Sequence, residues 1–286
     1  MWVDRTGAET PLPIAPRAFS TPRVSPDGKT LAFTAADGGR LDIWIYDIGS
    51  EKLTRITSEG ENNTPIWTPD GRWLTFASNR NGLHHIIRQP ADGSGVAESV
   101  VSSRDILLPG AWAADNRTLL YTDQPPTDKL RMFALHIDRA SISEPLGNRS
   151  FPSLSPDGRW LAFVSEETGQ REVYVEAFPA TGFRHQISVG GGGGPVWSRD
   201  GRAVFYKNRD DVFRVGADTS RGFSAGKPER LFERHYVRAS FDYDVAPTER
   251  FLMIKPSEEE LKPSQLNVVV NWVDELARRV PSGVRR

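Results

Sequence analysis

One serine in this sequence lies in a setting that resembles a hydrolase nucleophile. Gly222, Ser224 and Gly226 form a Gly-x-Ser-x-Gly string, which in hydrolases marks a serine between a buried strand and a helix. Lys227 and Pro228 follow directly, and a proline there is poorly compatible with a helix running on from Ser224. We therefore predict a loop at this string and no catalytic residue.

The five histidines are the obvious candidates for a metal site. Measured from the start of the repeat described below, they lie at offsets of 16, 17, 23, 30 and 37 residues, as His84, His85, His136, His185 and His235. A metal on the axis of a repeated fold would draw ligands from equivalent positions, so these offsets predict no metal site. The sequence has no cysteine, which excludes disulfides and thiolate ligands.

A run of glycines at residues 190–194 could be mistaken for a phosphate-binding loop. The run lacks the Lys-Ser/Thr pair that follows such a loop and the helix that would aim its amides at a phosphate. It comes instead just before a predicted strand. We predict a connecting loop and no bound cofactor.

The elements that would position any site come from one phrase that recurs along the sequence. It begins at Ser25 as SPDGKTLAF, and the copies start 42 to 48 residues apart, at Ser25, Thr68, Ala113, Ser155, Ser198 and Ala246. Ser-Pro-Asp-Gly favours a tight hairpin turn, and the alternating apolar residues after it favour a strand. Each repeat has room for four strands, which is typical of a propeller blade.

The repeat predicts an all-β, six-bladed β-propeller of four-stranded antiparallel blades. The sixth copy is degraded and shows no clear fourth strand, so we expect N-terminal strands, near Trp2–Asp4 and Pro11–Ile14, to complete the last blade and remove open sheet edges. Residues 271–280 have helical periodicity and predict a short C-terminal helix. We expect residues 1–286 to form a single domain.

Residues that keep the register of the repeat are interpreted as scaffold. Aspartates recur in the turns, where they would accept hydrogen bonds from their own turn, at Asp27, Asp70, Asp115, Asp157 and Asp200. Trp67, Trp112 and Trp197 end the first strands of three repeats. Their shared position favours packing between blades over stacking on a carbohydrate.

Candidate binding residues are those that differ between repeats at the loops before the first strands. They form a mixed-charge set suited to a polar ligand or a partner loop, namely Arg23, Asn63, Arg149, Arg238, Asp242 and Asp244. Specificity on a repeating scaffold resides in such variable positions. The net charge of −1 argues against nucleic-acid binding, and no apolar run is long enough to insert in a membrane.

The phrases SPDGKTLAF and SPDGRWLAF, with the strands DIWIYDI and EVYVEAF, resemble the TolB-type, WD-repeat-like propeller family from about Arg17 to Ile254. The terminal segments WVDRTGAETPLP and LNVVVNWVDELARRV are similar to the propeller region linked to bacterial receptor-like serine/threonine kinases.

The resemblance implies a non-catalytic binding or sensing module, a protein partner or small polar ligand, and a periplasmic or other extracytoplasmic location. Closed propellers are often monomers, so we expect a monomer. The alternative is a propeller enzyme, a lyase or lactonase-type hydrolase, with a polar or metal site in the central channel.

Overall fold

A computed structural model describes residues 1–126, 129–138, 143–236 and 241–256. These residues form strands and turns, and no helix occurs among them. Met1–Lys255 form one compact unit. The helix predicted at residues 271–280 lies outside the described residues, and the single domain over residues 1–286 stays a prediction.

The protein begins with two short strands and then builds the first two blades. The N-terminal strands are β1 (Trp2–Val3) and β2 (Glu9–Thr10). Blade 1 contains β3 (Phe19–Val24), β4 (Thr30–Asp37), β5 (Arg40–Asp47) and β6 (Lys52–Arg55). Blade 2 contains β7 (Glu61–Trp67), β8 (Trp73–Arg80), β9 (Leu83–Pro90) and β10 (Glu98–Ser103). In each blade the strands pair in sequence order and antiparallel.

The next two blades repeat this order. Blade 3 contains β11 (Ile106–Trp112), β12 (Thr118–Gln124), β13 (Arg131–His136) and β14 (Ser143–Gly147). Blade 4 contains β15 (Ser150–Leu154), β16 (Trp160–Ser165), β17 (Glu172–Ala177) and β18 (Arg184–Gln186). The first strand of every blade lies nearest the central channel.

Blade 5 has a divided outer strand. It contains β19 (Gly193–Trp197), β20 (Ala203–Asn208), β21 (Asp211–Asp218), β22 (Ser224–Ala225) and β23 (Glu229–Glu233). Both β22 and β23 pair with β21, at successive stretches of its edge. Together they fill the place of one outer strand, so the blade remains four strands wide.

Blade 6 is closed by the N-terminus, as the sequence predicted. Its inner strands are β24 (Tyr243–Val245) and β25 (Phe251–Met253), and the sheet continues through β1 to β2. The outermost strand β2 lies just before the segment expected from the sequence, Pro11–Ile14. Proline has no backbone N–H to donate to a neighbouring strand, which disfavours pairing through Pro11 and Pro13.

The hairpin turn between the first and second strand of a blade holds itself together. In blade 5, the Ser198 hydroxyl donates to Asp200 Oδ1 at 2.7 Å and accepts from the Ala203 amide at 2.9 Å. The Arg202 amide also donates to Asp200 Oδ1, at 3.0 Å. The turn ends on a residue of positive φ, which is glycine in most copies and Asn116 in blade 3. Asn116 adopts a φ of 54°.

The core lies between the blades. Among the described residues, buried apolar side chains form six clusters, and each cluster joins two successive blades. The last one packs Trp2 and Leu252 of blade 6 against Leu31 and Phe33 of blade 1. Burial is therefore shared around a closed ring.

Candidate functional site

A cavity of about 380 Å³ runs along the central channel. We call the end formed by the six turns between first and second strands the hairpin face, and the opposite end the inter-blade face. Pro26, Pro69 and Pro156 line the cavity at the hairpin face. At the inter-blade end, Phe151 and Phe241 pack edge to face with ring centroids 5.0 Å apart. These two rings belong to blades 4 and 6, so they narrow the inter-blade end of the channel.

The position two residues before each repeat start forms a ring around this cavity, which we call the channel ring. Its members come from blades 1 to 6 in turn: Arg23, Ile66, Ala111, Ser153, Val196 and Asp244. The register of the inner strands shifts just before this position in blades 1 to 5. In blades 1, 2, 4 and 5 a proline immediately precedes the ring residue, and its missing N–H interrupts the ladder there; in blade 3 the preceding residue is Gly110.

Arg23 lies in the channel and hydrogen-bonds only backbone among the described residues. Its Nη1 donates to the carbonyl oxygens of Pro22 at 2.7 Å and Tyr243 at 3.2 Å. The guanidinium carbon lies 5.1 Å from the centre of the Phe241 ring, within the range of a cation–π contact. Desolvation lowers the pKa of Arg23, although Asp244 and Asp242 oppose the shift. An arginine stays charged at neutral pH all the same.

Asp244, the second charged member of the channel ring, ties blade 6 to blade 1. Its Oδ2 accepts from the Val24 amide at 2.8 Å, and its Oδ1 accepts from the Val245 amide at 2.8 Å. The carboxylate is buried. Both oxygens are therefore engaged by backbone donors at the seam where the ring closes.

Arg199 is a channel residue that the sequence analysis did not select. It lies at the hairpin face of blade 5, and its Nη2 donates to the Val24 carbonyl of blade 1 at 3.1 Å, across the intervening blade 6. The same nitrogen lies 3.9 Å from Asp244 Oδ2. One signal could have found it, because this turn position is proline in four of the six copies and arginine only here.

Asp242 forms a buried ion pair with Lys207 of blade 5. The Lys207 side chain is 10% exposed and the Asp242 side chain 6%. Both residues line a second cavity, of about 460 Å³, together with the glycine run at residues 191–194 and the turn at residues 208–209. Lys207 is another residue that the sequence analysis missed, because it lies on a second strand rather than in a loop.

Tyr243, between the two aspartates, contributes a further tie between blades. Its hydroxyl donates to the Gly194 carbonyl at 2.7 Å. Burial raises the pKa of the Tyr243 phenol well above its usual range, and the neighbouring Asp242 and Asp244 act in the same direction. The phenol therefore keeps its proton and acts as a donor to blade 5.

The remaining predicted site residues do not join this group. Arg149 pairs with the buried Glu176 and lies over the Phe163 ring at 4.7 Å, which places it against blade 4 rather than in the channel. Asn63 is half-buried, and its Oδ1 accepts from the Thr64 hydroxyl at 3.0 Å. Arg238 lies outside the described residues. Of the six residues predicted, the structure brings Arg23 and Asp244 together on the channel wall, with Asp242 behind them.

The other motifs have structural settings. Ser224 begins β22, an exposed strand with no helix after it among the described residues, so the string at residues 222–226 is not a nucleophile elbow. The glycine run leads into and begins β19. Within the described ranges, no group of three or more histidine, aspartate or glutamate side chains is arranged to hold a metal ion.

The turn aspartates and the indoles of Trp112 and Trp197 keep the repeat register and make structural contacts, although all three tryptophans, with Trp67, also border the channel cavity. The turn aspartates accept hydrogen bonds from their own turns, as Asp27 does from Ser25 and Lys29. The Trp112 indole of blade 3 donates to the Thr75 hydroxyl of blade 2 at 3.1 Å. Trp197 packs in the cluster between blades 4 and 5. Neither indole is an exposed platform.

Fold and repeat together define a six-bladed β-propeller. The TolB beta propeller domain matches residues 5–142, which confirms the resemblance carried by the repeated phrase. No helix among the described residues has the length and apolar character needed to cross a membrane.

The particular relatives show how far this similarity extends. An uncharacterized protein of Agrobacterium fabrum is 30% identical over 153 residues, which cover 49% of this chain and 52% of that protein. The chain thus spans about half the length of this curated relative. A solved structure of TolB from Acinetobacter baumannii shares 18% identity, with a TM-score of 0.59 over 75% of this chain and 57% of that one.

Some neighbours in fold are enzymes. The structure of an oligogalacturonate lyase in complex with manganese aligns with a TM-score of 0.54 at 18% identity, over 82% of this chain and 69% of that one. At such identities the likeness concerns the fold alone. The function must therefore be argued from the residues of the channel.

Proposed function

We propose that this propeller is a non-catalytic binding module that recognises a polar segment of a protein partner in its central channel. The observation that carries the proposal is the channel ring. Four of its members are neutral, and the charged pair Arg23 and Asp244 lies on one side, at the closing seam. A mostly apolar cavity with a few placed polar groups is the usual form of a ligand site.

The size of the cavity supports a small ligand or a short protein segment. A volume of about 380 Å³ is near the lower end of the range for drug-sized ligands. It suits one or two side chains of a partner loop better than a folded element. The hairpin face offers the approach, because Phe151 and Phe241 narrow the other end.

The charges in the channel favour binding over metal-assisted chemistry. A divalent cation beside Asp244 would lie close to the guanidinium of Arg199, whose Nη2 is 3.9 Å from the carboxylate. Like charges at such distances repel strongly in a poorly solvated site. Each oxygen of Asp244 also accepts a hydrogen bond from a backbone amide, which uses one of its two lone pairs.

We also propose an extracytoplasmic location and a monomeric state. The location rests on the similarity to TolB-type propellers, and the monomer on the closed ring of six blades, whose last blade is completed by the N-terminal strands of the same chain. An alkaline phosphatase fusion to the full-length protein tests the first, since that reporter is active only outside the cytoplasm. Analytical ultracentrifugation tests the second.

The channel proposal is tested by blocking the channel. Peptides are first selected from a displayed random library on the wild-type protein. Their affinities for Ala111→Trp, which places an indole in the channel ring, are then measured by fluorescence anisotropy. We expect at least a tenfold loss, because the indole takes the space that a ligand side chain would occupy.

The matched control is Thr54→Trp, which adds the same side chain to the exposed outer strand β6. It should leave the affinities unchanged. Thermal unfolding of both variants establishes that the propeller is intact. Selected peptides that bind both variants as they bind wild type would refute the proposal.

A further inference from the structure

We propose that the channel recognises a carboxylate, held between the guanidinium groups of Arg23 and Arg199. The ligand class is the C-terminal carboxylate or an acidic side group of a protein partner, or a small organic acid with the same group. This inference rests on the proposed function, since it names the chemistry of the ligand that the channel would bind.

The first observation is the unused hydrogen-bonding capacity of Arg23. A guanidinium carries five N–H donors, and the hydrogen bonds of Arg23 to described residues all come from Nη1. Nη2 and Nε make none, and neither belongs to the buried unpartnered atoms of the described residues. They therefore face the cavity that Arg23 lines.

The second observation is the position of Arg199. Its one hydrogen bond to described residues runs from Nη2 to the Val24 carbonyl, so Nη1 and Nε remain available. The side chain is 38% exposed at the hairpin face, where a ligand would arrive. The two arginines are close enough for the charge of Arg199 to help lower the pKa of Arg23. Bringing two cations together is unfavourable unless an anion joins them.

The third observation is that the nearby carboxylates offset the charge of this pair only from a distance, since neither Asp244 nor Asp242 hydrogen-bonds the Arg23 guanidinium. Asp244 gives both oxygens to backbone amides and lies at the long limit of an ion pair with Arg199. Asp242 is paired with Lys207. No carboxylate oxygen of the described residues lies within 4.0 Å of the Arg23 guanidinium nitrogens. The cavity thus carries two arginines and one aspartate, a net positive charge.

The walls strengthen the effect of that charge. Of the four other ring members, Ile66, Ala111 and Val196 present apolar surface to the same cavity and Ser153 is polar but neutral. Electrostatic attraction and charge-assisted hydrogen bonds are stronger where water is scarce. Arginine also matches the planar, two-oxygen geometry of a carboxylate better than lysine does. The chemistry of the channel therefore selects a carboxylate over a neutral amide of the same shape.

The test compares two probes of matched shape, succinate and its neutral diamide, by saturation-transfer NMR and isothermal titration calorimetry. We expect the wild-type protein to bind succinate at least tenfold more tightly than succinamide. Arg199→Gln should weaken succinate binding about tenfold or more, which corresponds to one or two charge-assisted hydrogen bonds. Ala111→Trp should abolish it.

The matched control is Arg202→Gln, which removes the same charge from the same hairpin. Arg202 is exposed and does not line the cavity, so succinate affinity should change less than twofold. Arg23→Gln provides a second channel variant, and thermal unfolding of each variant shows whether the propeller is intact. If Arg23→Gln unfolds, Arg199→Gln, which alters an exposed side chain, still decides the question.

Equal binding of succinate and succinamide, or equal losses in Arg199→Gln and Arg202→Gln, would overturn the inference. Its failure is distinct from failure of the proposed function. Peptides that need an open channel but bind equally as acids and amides would remove only the carboxylate site. Succinate binding that depends on Arg199, together with peptides indifferent to Ala111→Trp, would keep the site and remove the role as a protein-binding module.

Discussion

The hairpin turns and the channel ring lie on the same six blades and only two residues apart in sequence, yet they differ in how their polar groups are satisfied. In the turns, Ser198 and Asp200 hydrogen-bond each other and their own backbone. In the channel ring, Arg23 and Asp244 each have one partner in their own blade and one on the neighbouring blade. The hydrogen bonds of a turn can form as soon as that turn forms, whereas those between channel residues of different blades form only when the propeller is assembled.

This difference separates scaffold from site. A side chain whose hydrogen bonds are made within its own turn serves the scaffold, however often it recurs. Arg23 and Arg199 depart from the repeat and keep donors that no described residue takes. The comparison predicts that variants at repeated positions change stability and that variants at the two arginines change binding.

The largest effect on stability is expected for Trp112→Ala. Trp112 keeps the repeat register, is 6% exposed and joins blades 2 and 3 through apolar packing and its bond to Thr75. Truncating a buried tryptophan costs about 3–5 kcal/mol. Urea unfolding monitored by circular dichroism should show this loss. Trp112→Phe, which keeps a ring and loses the hydrogen bond, should cost clearly less, and equal costs would contradict the packing role.

A smaller effect is expected for Gly110→Ala in the inner strand of blade 3. A Cβ on Gly110 would lie 2.3 Å from Cγ of Pro152 in blade 4, a distance that forces the inner strands apart. Overpacking of this kind costs about 1–3 kcal/mol. Combining it with Pro152→Ala should recover part of the loss. Purely additive costs in the double variant would show that the two residues do not meet.

The fold was predictable from the sequence because its signals are local. Turn residues such as Pro26, Asp27 and Gly28 are adjacent in sequence, so their chemistry can be recognised without knowing the rest of the molecule. The closure of blade 6 by the N-terminus followed from counting strands. The exact outer strand, β2 at Glu9–Thr10, depended on pairing with β1 and was expected slightly later.

The site was only partly predictable because its contacts are long-range. Arg149 has the same kind of loop position in the sequence as the other candidates. Its partner Glu176 is 27 residues away, and this contact holds Arg149 against blade 4. Arg199 contacts Val24, 175 residues earlier. No local pattern reports such a contact. The departure from the repeat at Arg199 was nevertheless visible, and applying the repeat as a filter to the turns as well as the loops would have selected it.

Removing a turn carboxylate should have a modest, pH-dependent effect. Asp200→Ala loses the bonds from the Ser198 hydroxyl and the Arg202 amide, for which we expect about 1 kcal/mol at an exposed turn. The Ser198 hydrogen bond, aided by the Arg202 amide, lowers the pKa of Asp200 below its usual range in the folded state. The stabilisation is therefore full above the unfolded-state pKa, about 4, and is lost as the pH falls through the folded-state pKa.

Urea unfolding of wild type and Asp200→Ala at several pH values checks this sign. The gap in unfolding free energy should be constant from about pH 7 to 5 and should narrow toward about pH 2 to 3. A gap of the same size at both ends of this pH range would mean that the carboxylate charge contributes nothing to the turn.

The smallest effect on stability is expected where the effect on binding is largest. Arg199→Gln removes an exposed charge with a single backbone hydrogen bond, and surface substitutions of this kind stay within about 0.5 kcal/mol. Arg202→Gln, on the same hairpin, should be equally mild. The two variants should have indistinguishable unfolding midpoints and differ only in succinate affinity. A large stability loss in Arg199→Gln alone would show that the contact with Val24 stabilises the propeller. Arg199 would then belong to the scaffold, together with the turn residues beside it.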